Sequence, residues 1–401
     1  MKKILTIALC VAAIGSAGAQ KATVDAAKKA AKEGNLALAR ELFNQAANNP
    51  ETKNAATYFE AGKAEFDAFD KAKTLKMLNP NDPSATPEAM GDELVNGYNF
   101  FILALPLDSL PNEKGQIKPK YSKDIAKILK AHQDDYFNAG AEFFNVKKYY
   151  PEAYNAFMTY GDMSNLGLID AKPEDASQFA TAYFNAGLAA YSGDKLDESA
   201  AAFKKGRLMG YEEPECYIYE IACWQNIAQR DDSRMKEAQN KIMDVATAGN
   251  EKFGLAQPIF LNNMINSLVS DNNIDGALSQ LNNIISSNQD NANLYGLRGY
   301  VYDRAGNDDN SEADYRKAVS LPDVDFETLK NAGKKIYNIG VMKLNQIEGR
   351  SADDIANRNA IKANYFDAAM KIAEQAGAMN PNDPDLLNLI DNIDYAVTTY
   401  F

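Results

Sequence analysis

Tyr183-Phe184-Asn185-Ala186-Gly187 is a phrase this chain repeats. Tyr58-Phe59-Glu60-Ala61-Gly62 and Tyr136-Phe137-Asn138-Ala139-Gly140 match it closely. Tyr295-Gly296-Leu297-Arg298-Gly299 and Ile336-Tyr337-Asn338-Ile339-Gly340 follow it more loosely. An aromatic four residues before a glycine puts both on one helix face, one turn apart. The glycine then admits a second helix at close range, and the aromatic packs beside it.

A turn and a second helix with small and large residues on one stripe follow each phrase. After Gly187 come Ser192-Gly193-Asp194-Lys195-Leu196, then Ser199, Phe203 and Gly206. After Gly299 come Ala305-Gly306-Asn307, then Ser311, Tyr315, Ala318 and Pro322. An earlier unit reads Lys32-Glu33-Gly34-Asn35-Leu36, then Ala39, Phe43, Ala46 and Pro50. Intervals of four and three keep these residues on one face, and the proline ends the helix.

The pattern resembles the tetratricopeptide repeat (TPR), a helix–turn–helix of about 34 residues with an aromatic, Leu-Gly and Tyr in its first helix and Ala, Phe, Ala, Pro in its second. The glycine slot falls at Ala27, Gly62, Gly140, Gly187, Ala222, Ile265, Gly299 and Gly340. The resemblance implies an all-α, right-handed helical solenoid of about eight TPR-like pairs over 20–401, with the best repeats near 22–53, 180–213, 258–291 and 292–325. Insertions are expected at 71–89, 106–121 and 346–359, and shorter extra turns at 164–177 and 228–236. In the second unit the second helix is either the short stretch near Leu75 or the longer one from Glu93 to Ala104, and the pattern Asn96, Phe100, Leu103, Pro106 favours the latter. A longer helix is expected from Ser122 to about Asn145. After Asn380-Pro381-Asn382-Asp383-Pro384 a last helix is expected, capped by Asp383, to close the exposed end of the stack.

Met1-Lys2-Lys3, the apolar run Ile4 to Ala13 and Ala17-Gly18-Ala19 read as a secretory signal peptide over 1–19. The mature chain is then expected to start near Gln20, in the periplasm or outside the cell. Leu9 before Cys10 does not suit a lipidation box. No other stretch has the length and apolarity of a transmembrane segment. Losing Lys2 and Lys3 takes the net charge of −13 to −13 − 2 = −15. That acidity argues against nucleic acid and anionic membranes as partners. The local reversal is a lysine run: Lys114, Lys118, Lys120, Lys123, Lys127 and Lys130. Cys216 and Cys223, on one helix, are roughly 10 Å apart, too far for a disulfide.

The residues offer no catalytic constellation, cofactor site or metal site. The sole histidine, His132, precedes an acidic helix start and reads as a surface residue. Asp271-Asn272-Asn273-Ile274-Asp275-Gly276 matches half of a calcium loop, but Asn282 stands where the bidentate acid is needed, and the segment reads as an inter-helix turn. What remains is the groove. In this repeat family the first helices line the concave face, which places Phe59, Phe137, Asn138, Phe184, Asn185, Tyr191, Tyr219, Asn263 and Tyr337 along it. Phe137, Phe184 and Tyr219 are expected to form a continuous strip. Aromatic faces and amides suit an extended peptide, and aromatic platforms equally suit sugar rings. The same rings also suit plain packing between units. The expected function is a non-enzymatic exported scaffold for a protein or peptide segment in the envelope. The alternative is a glycan- or small-ligand-binding accessory protein. Neither the partner nor the oligomeric state is legible.

Overall fold

The computed structural model describes residues 17–83, 85–112, 114–167 and 176–401. Residues 1–16, with Cys10 and most of the expected signal peptide, lie outside them, as do 168–175 in one expected extra turn. The described chain is all-α and forms two compact units, 1–241 and 242–401.

In the first unit, α1 (Ala17–Lys32) pairs with α2 (Leu36–Ala47), and α3 (Ala55–Leu78) with α4 (Pro87–Asp108). Next come α5 (Ser122–Ala131), α6 (Gln133–Glu142) and α7 (Tyr150–Asp162), then the pair α8 (Ala176–Ser192) and α9 (Leu196–Leu208), then α10 (Glu215–Arg230). Helix α11 (Met235–Phe253) contains the boundary between units. The second unit continues with α12 (Pro258–Ser270), α13 (Ile274–Ser287), α14 (Ala292–Arg304), α15 (Asp308–Val319), α16 (Phe326–Leu344), α17 (Ala352–Ile361), α18 (Asp367–Met379) and α19 (Pro384–Tyr400).

Each pair closes on the glycine slot. A Cβ on Gly187 would meet the Phe203 ring at 2.6 Å, one on Gly62 the Phe101 ring at 2.5 Å, and one on Gly140 the Phe157 ring at 2.8 Å. Gly299 faces Tyr315 at 3.2 Å. In regular units the filling residue lies sixteen positions after the slot, as in Gly187/Phe203 and Gly299/Tyr315. Ala27 and Phe43 share one core at that spacing, and Ile265 and Leu281 share another, where two aliphatic side chains replace glycine and ring. The second helix is tied to the slot as well. Ser199 Oγ donates to the Gly187 carbonyl at 2.8 Å, and Ser311 Oγ to the Gly299 carbonyl at 2.9 Å.

The turns are as regular as the helices. The residue just before the second helix's N-cap is left-handed at Gly34, Asp194, Asn272 and Gly306, with φ between 57° and 80°. The next amide then reaches back five residues: Asn35 to Ala30, Lys195 to Ala190, Asn273 to Leu268 and Asn307 to Tyr302. This closes the last turn of the first helix, as a left-handed C-terminal residue does. Asn273 also caps α13 by accepting from Gly276 N at 3.0 Å, and Asn282 accepts from Arg298 at 2.7 Å, so the near-calcium sequence is a helix turn. In the third unit a π-helical turn, Phe143–Lys147, adds one residue. There the amide of Tyr149 reaches back six residues to Phe143, and Gly140 and Phe157 stand seventeen apart.

Several expectations shift. Residues 71–78 are the last two turns of α3, so only 79–86 interrupts that pair. The buried stripe of α4 is Leu94, Gly97, Tyr98, Phe101 and Ala104, one residue out of register with the expected one. Pro106 lies inside α4, in its last turn, instead of ending it. The helix expected over 122–145 breaks at His132. That residue is buried, not on the surface. Its ring contacts Phe66 and Phe69, Nε2 lies 3.0 Å from Asp70, and Nδ1 lies 2.9 Å from the Ile128 carbonyl. Helix α17 and a π-helical turn occupy the whole span from 352 to 366, inside the expected insertion 346–359 and just beyond it. Pro384 opens α19, and Asp383 caps it by accepting from Leu386 N at 2.9 Å.

Candidate functional site

The expected groove residues sit on successive first helices but do not form one strip. On α6, Phe137 makes edge contacts with Phe157 and Tyr160 of α7, at 5.3 and 5.5 Å between centroids. On α8, Phe184 stacks on Tyr211 at 4.7 Å and touches Phe203 at 5.7 Å. Tyr219 on α10 stacks on Phe203 at 5.4 Å and reaches Phe184 at 6.2 Å and Tyr191 at 6.0 Å. Phe184, Tyr219 and Tyr191 are thus one cluster, whereas Phe137 belongs to the α6–α7 pair. Phe59 is buried, between Tyr121 at 4.7 Å and Phe101 at 5.8 Å, and presents no face to a ligand.

The amides divide too. Asn138 is exposed and Asn185 is partly buried. Asn263 donates to the Ile259 carbonyl of its own helix at 2.8 Å. Asn226 donates to the Ala222 carbonyl at 2.8 Å and lies 3.5 Å from the Tyr191 hydroxyl. In the second unit, Tyr337 packs on Phe366 at 5.6 Å, and its hydroxyl lies 3.4 Å from the Asn392 carbonyl.

One group of expected residues does line open space. Phe137 and Asn138 share a cavity of about 460 Å³ with Asp134, Tyr160, Ser177, Gln178 and Thr181. The Tyr160 hydroxyl donates to Gln178 Oε1 at 2.9 Å, which fixes the amide beside the ring. Below it, Tyr183 donates to Asp162 Oδ1 at 2.7 Å, and Lys205 donates to the same oxygen at 2.7 Å. Burial and the Asp162 carboxylate hold the Tyr183 hydroxyl well above its ordinary range, so it stays a donor.

Sequence reasoning missed a second set. Arg40 on α2 makes a two-point pair with Glu65 on α3, Nε to Oε1 at 2.7 Å and Nη2 to Oε2 at 2.8 Å. Glu93 of α4 is buried near both, and its Oε2 has no hydrogen-bond partner among the described residues. Burial, followed by the Glu65 charge, pushes the Glu93 carboxyl up to about 7. The available signal was position: Glu65 lies between Ala61 and Phe69 on the buried stripe of α3, and Glu93 one turn before Gly97 on that of α4.

No group of three metal-ligating side chains occurs among the described residues, and none of their helices is long and apolar enough to cross a membrane. No protein-family model matches the chain, and no curated protein matches it. Solved structures similar to it include a TPR-repeats protein from Bacteroides fragilis, 18% identical, covering 66% of this chain and 98% of that one at a TM-score of 0.32. The TPR domain of P58(IPK) is 11% identical, covering 95% and 98% at a TM-score of 0.30. The APC/C hetero-tetramer Cut9–Hcn1 is 13% identical, covering 93% and 84% at a TM-score of 0.30. The TPR-like helix pairing rests on the slot contacts and turns of this chain.

Proposed function

We propose that this chain is an exported, non-enzymatic scaffold that binds a protein or peptide segment across α6, α7 and α8. The observation that carries the reading is the cavity in which Phe137 and Tyr160 stand beside Asn138, Gln178 and Thr181. Rings supply apolar contact, and amides and hydroxyls supply donors and acceptors for an extended backbone. Asn138 is exposed, so Asn138→Arg fills the cavity with little effect on the core. Partners crosslinked in the native envelope and identified by mass spectrometry should be lost from this variant while its melting is unchanged. Unchanged capture would refute the site, and tight binding of a soluble oligosaccharide without a partner would favour the glycan reading. Export is tested separately: intact mass of the native protein should begin at Gln20, with no lipid on Cys10.

A further inference from the structure

A larger cavity, about 690 Å³, lies elsewhere in the first unit, between α1 and α3. Its buried lining is Phe43, Ala72 and Glu93, which therefore form its floor. Along α3 its lining alternates the small Ala64, Ala68 and Ala72 with charged residues and ends at Leu75. Lys32 and Lys71 stand exposed at its rim, and neither makes an ion pair among the described residues. The other rim charges are matched: Lys28 with Glu60 at 3.1 Å, and Lys63 with Asp67 at 2.7 Å.

The floor is electrostatically incomplete. Arg40 spends two donors on Glu65, and Glu93 is left as the second carboxylate of a buried cluster with one cation. A buried carboxylate is tolerated when a cation reaches it and is otherwise driven to its neutral form. A simple cation would have to pass two unmatched lysines. A ligand that also carries an anion would be drawn to them. We propose that this cavity binds a zwitterionic ligand, with an ammonium or guanidinium on Glu93 and a carboxylate or phosphate between Lys32 and Lys71. The ligand is either a free amino acid with a long arm or a basic side chain flanked by acids in a polypeptide. The site is separate from the one proposed on α6–α8, and the two stand or fall independently.

Isothermal titration of the full chain with 6-aminohexanoate, and with the peptide acetyl-Asp-Lys-Asp-amide, tests this. Either should bind, and the one that binds identifies the source. Hexanoate should not bind, and hexylamine should bind more weakly than 6-aminohexanoate. The charged groups around Glu93 are Arg40 from α2, Glu65 from α3 and Asp92 from its own helix, and the first two are locked together. With the Glu93 carboxyl near 7, affinity should therefore rise roughly tenfold from pH 6 to pH 8. Glu93→Gln should abolish binding at both pH values without lowering the melting temperature at pH 8. Lys32→Ala with Lys71→Ala should reduce 6-aminohexanoate to the level of hexylamine. Absence of binding by both probes at millimolar concentration, or unchanged binding by a folded Glu93→Gln variant, would overturn the proposal.

Discussion

The ring of Phe203 occupies the space that a side chain on Gly187 would need, with an added Cβ falling 2.6 Å from a ring carbon. Ser199 holds the same turn of α8 from the other side of the contact. The closest approach in this helix pair is therefore fixed by a missing side chain and a large one together.

Gly187→Leu should overpack the α8–α9 pair and destabilise the protein by about 1–3 kcal/mol. Phe203→Ala alone should cost roughly 3–5 kcal/mol by leaving a cavity. The double variant should cost less than the sum, because the new leucine enters the space the ring vacates. Denaturant titration of the three variants measures the coupling. Strict additivity would show that the two positions do not share one space.

Glu93 gives the protein a pH dependence opposite to that of its capping aspartates. Its folded-state carboxyl is raised, mainly by burial, from 4.5 to about 7, so the folded state holds the proton more tightly than the unfolded chain. Stability from this group is full below about 4.5, falls as pH rises through 7, and is level above that. Allowing for screening near an open cavity, the loss is about 2 kcal/mol. Glu93→Gln should remove the slope, making the variant more stable than the parent at pH 8 but not at pH 4. Parallel melting curves at every pH would contradict this.

The Asp108 carboxylate accepts from the backbone amides of Lys120, Tyr121 and Ser122, each at 2.9 Å, and from Ser122 Oγ at 2.7 Å. Burial opposes its charge, but these donors prevail and hold the carboxyl below its ordinary range. Asp108→Ala should cost about 1 kcal/mol or more by removing four hydrogen bonds to a charged group from partly buried donors. Shortening the tip at 112–116 should leave cooperative melting intact, because its side chains are exposed where described. Extending the deletion through Tyr121 should not, since that ring stacks on Phe59. Circular dichroism melts of the three variants separate these cases.

Cys216 and Cys223 are both buried thiols on α10, and burial pushes the Cys223 thiol up to about 11. Both should react slowly with a thiol reagent in native protein, and two equivalents should appear on unfolding without reductant. One equivalent or none would break the helical assignment of that segment.

The repeat was legible because its mark is local. An aromatic four residues before a glycine needs no knowledge of distant chain, and Asp383-Pro384 announces a helix start by itself. What escaped depended on partners far away in sequence. His132 looked exposed beside two acids, yet Asp70, Phe66 and Phe69 enclose it from another helix. The α4 stripe slipped by one because Phe100 and Phe101 are equally apolar, and only Gly62 across the pair selects Phe101. The groove was legible as a set of residues but not as a surface. A ring on a first helix reads the same whether its face meets solvent, as part of Phe137 does, or another ring, as Phe59 does. Glu93 was hidden among many acids, since what distinguishes it is the lack of a partner.

The π-helical turn at Phe143–Lys147 bears on how such a chain accumulates length. One residue beyond the regular spacing would rotate everything after it by about 100° if the helix simply continued. Here the surplus is absorbed in a single widened turn, and Phe157 still arrives over Gly140. A second widened turn, Lys362–Phe366, itself carries the side chains that meet Gly340, Tyr365 and Phe366. Single-residue insertions near the end of a helix are thus correctable within one unit. The stack can acquire them one at a time without any compensating deletion, and repeats of unequal length remain mechanically interchangeable.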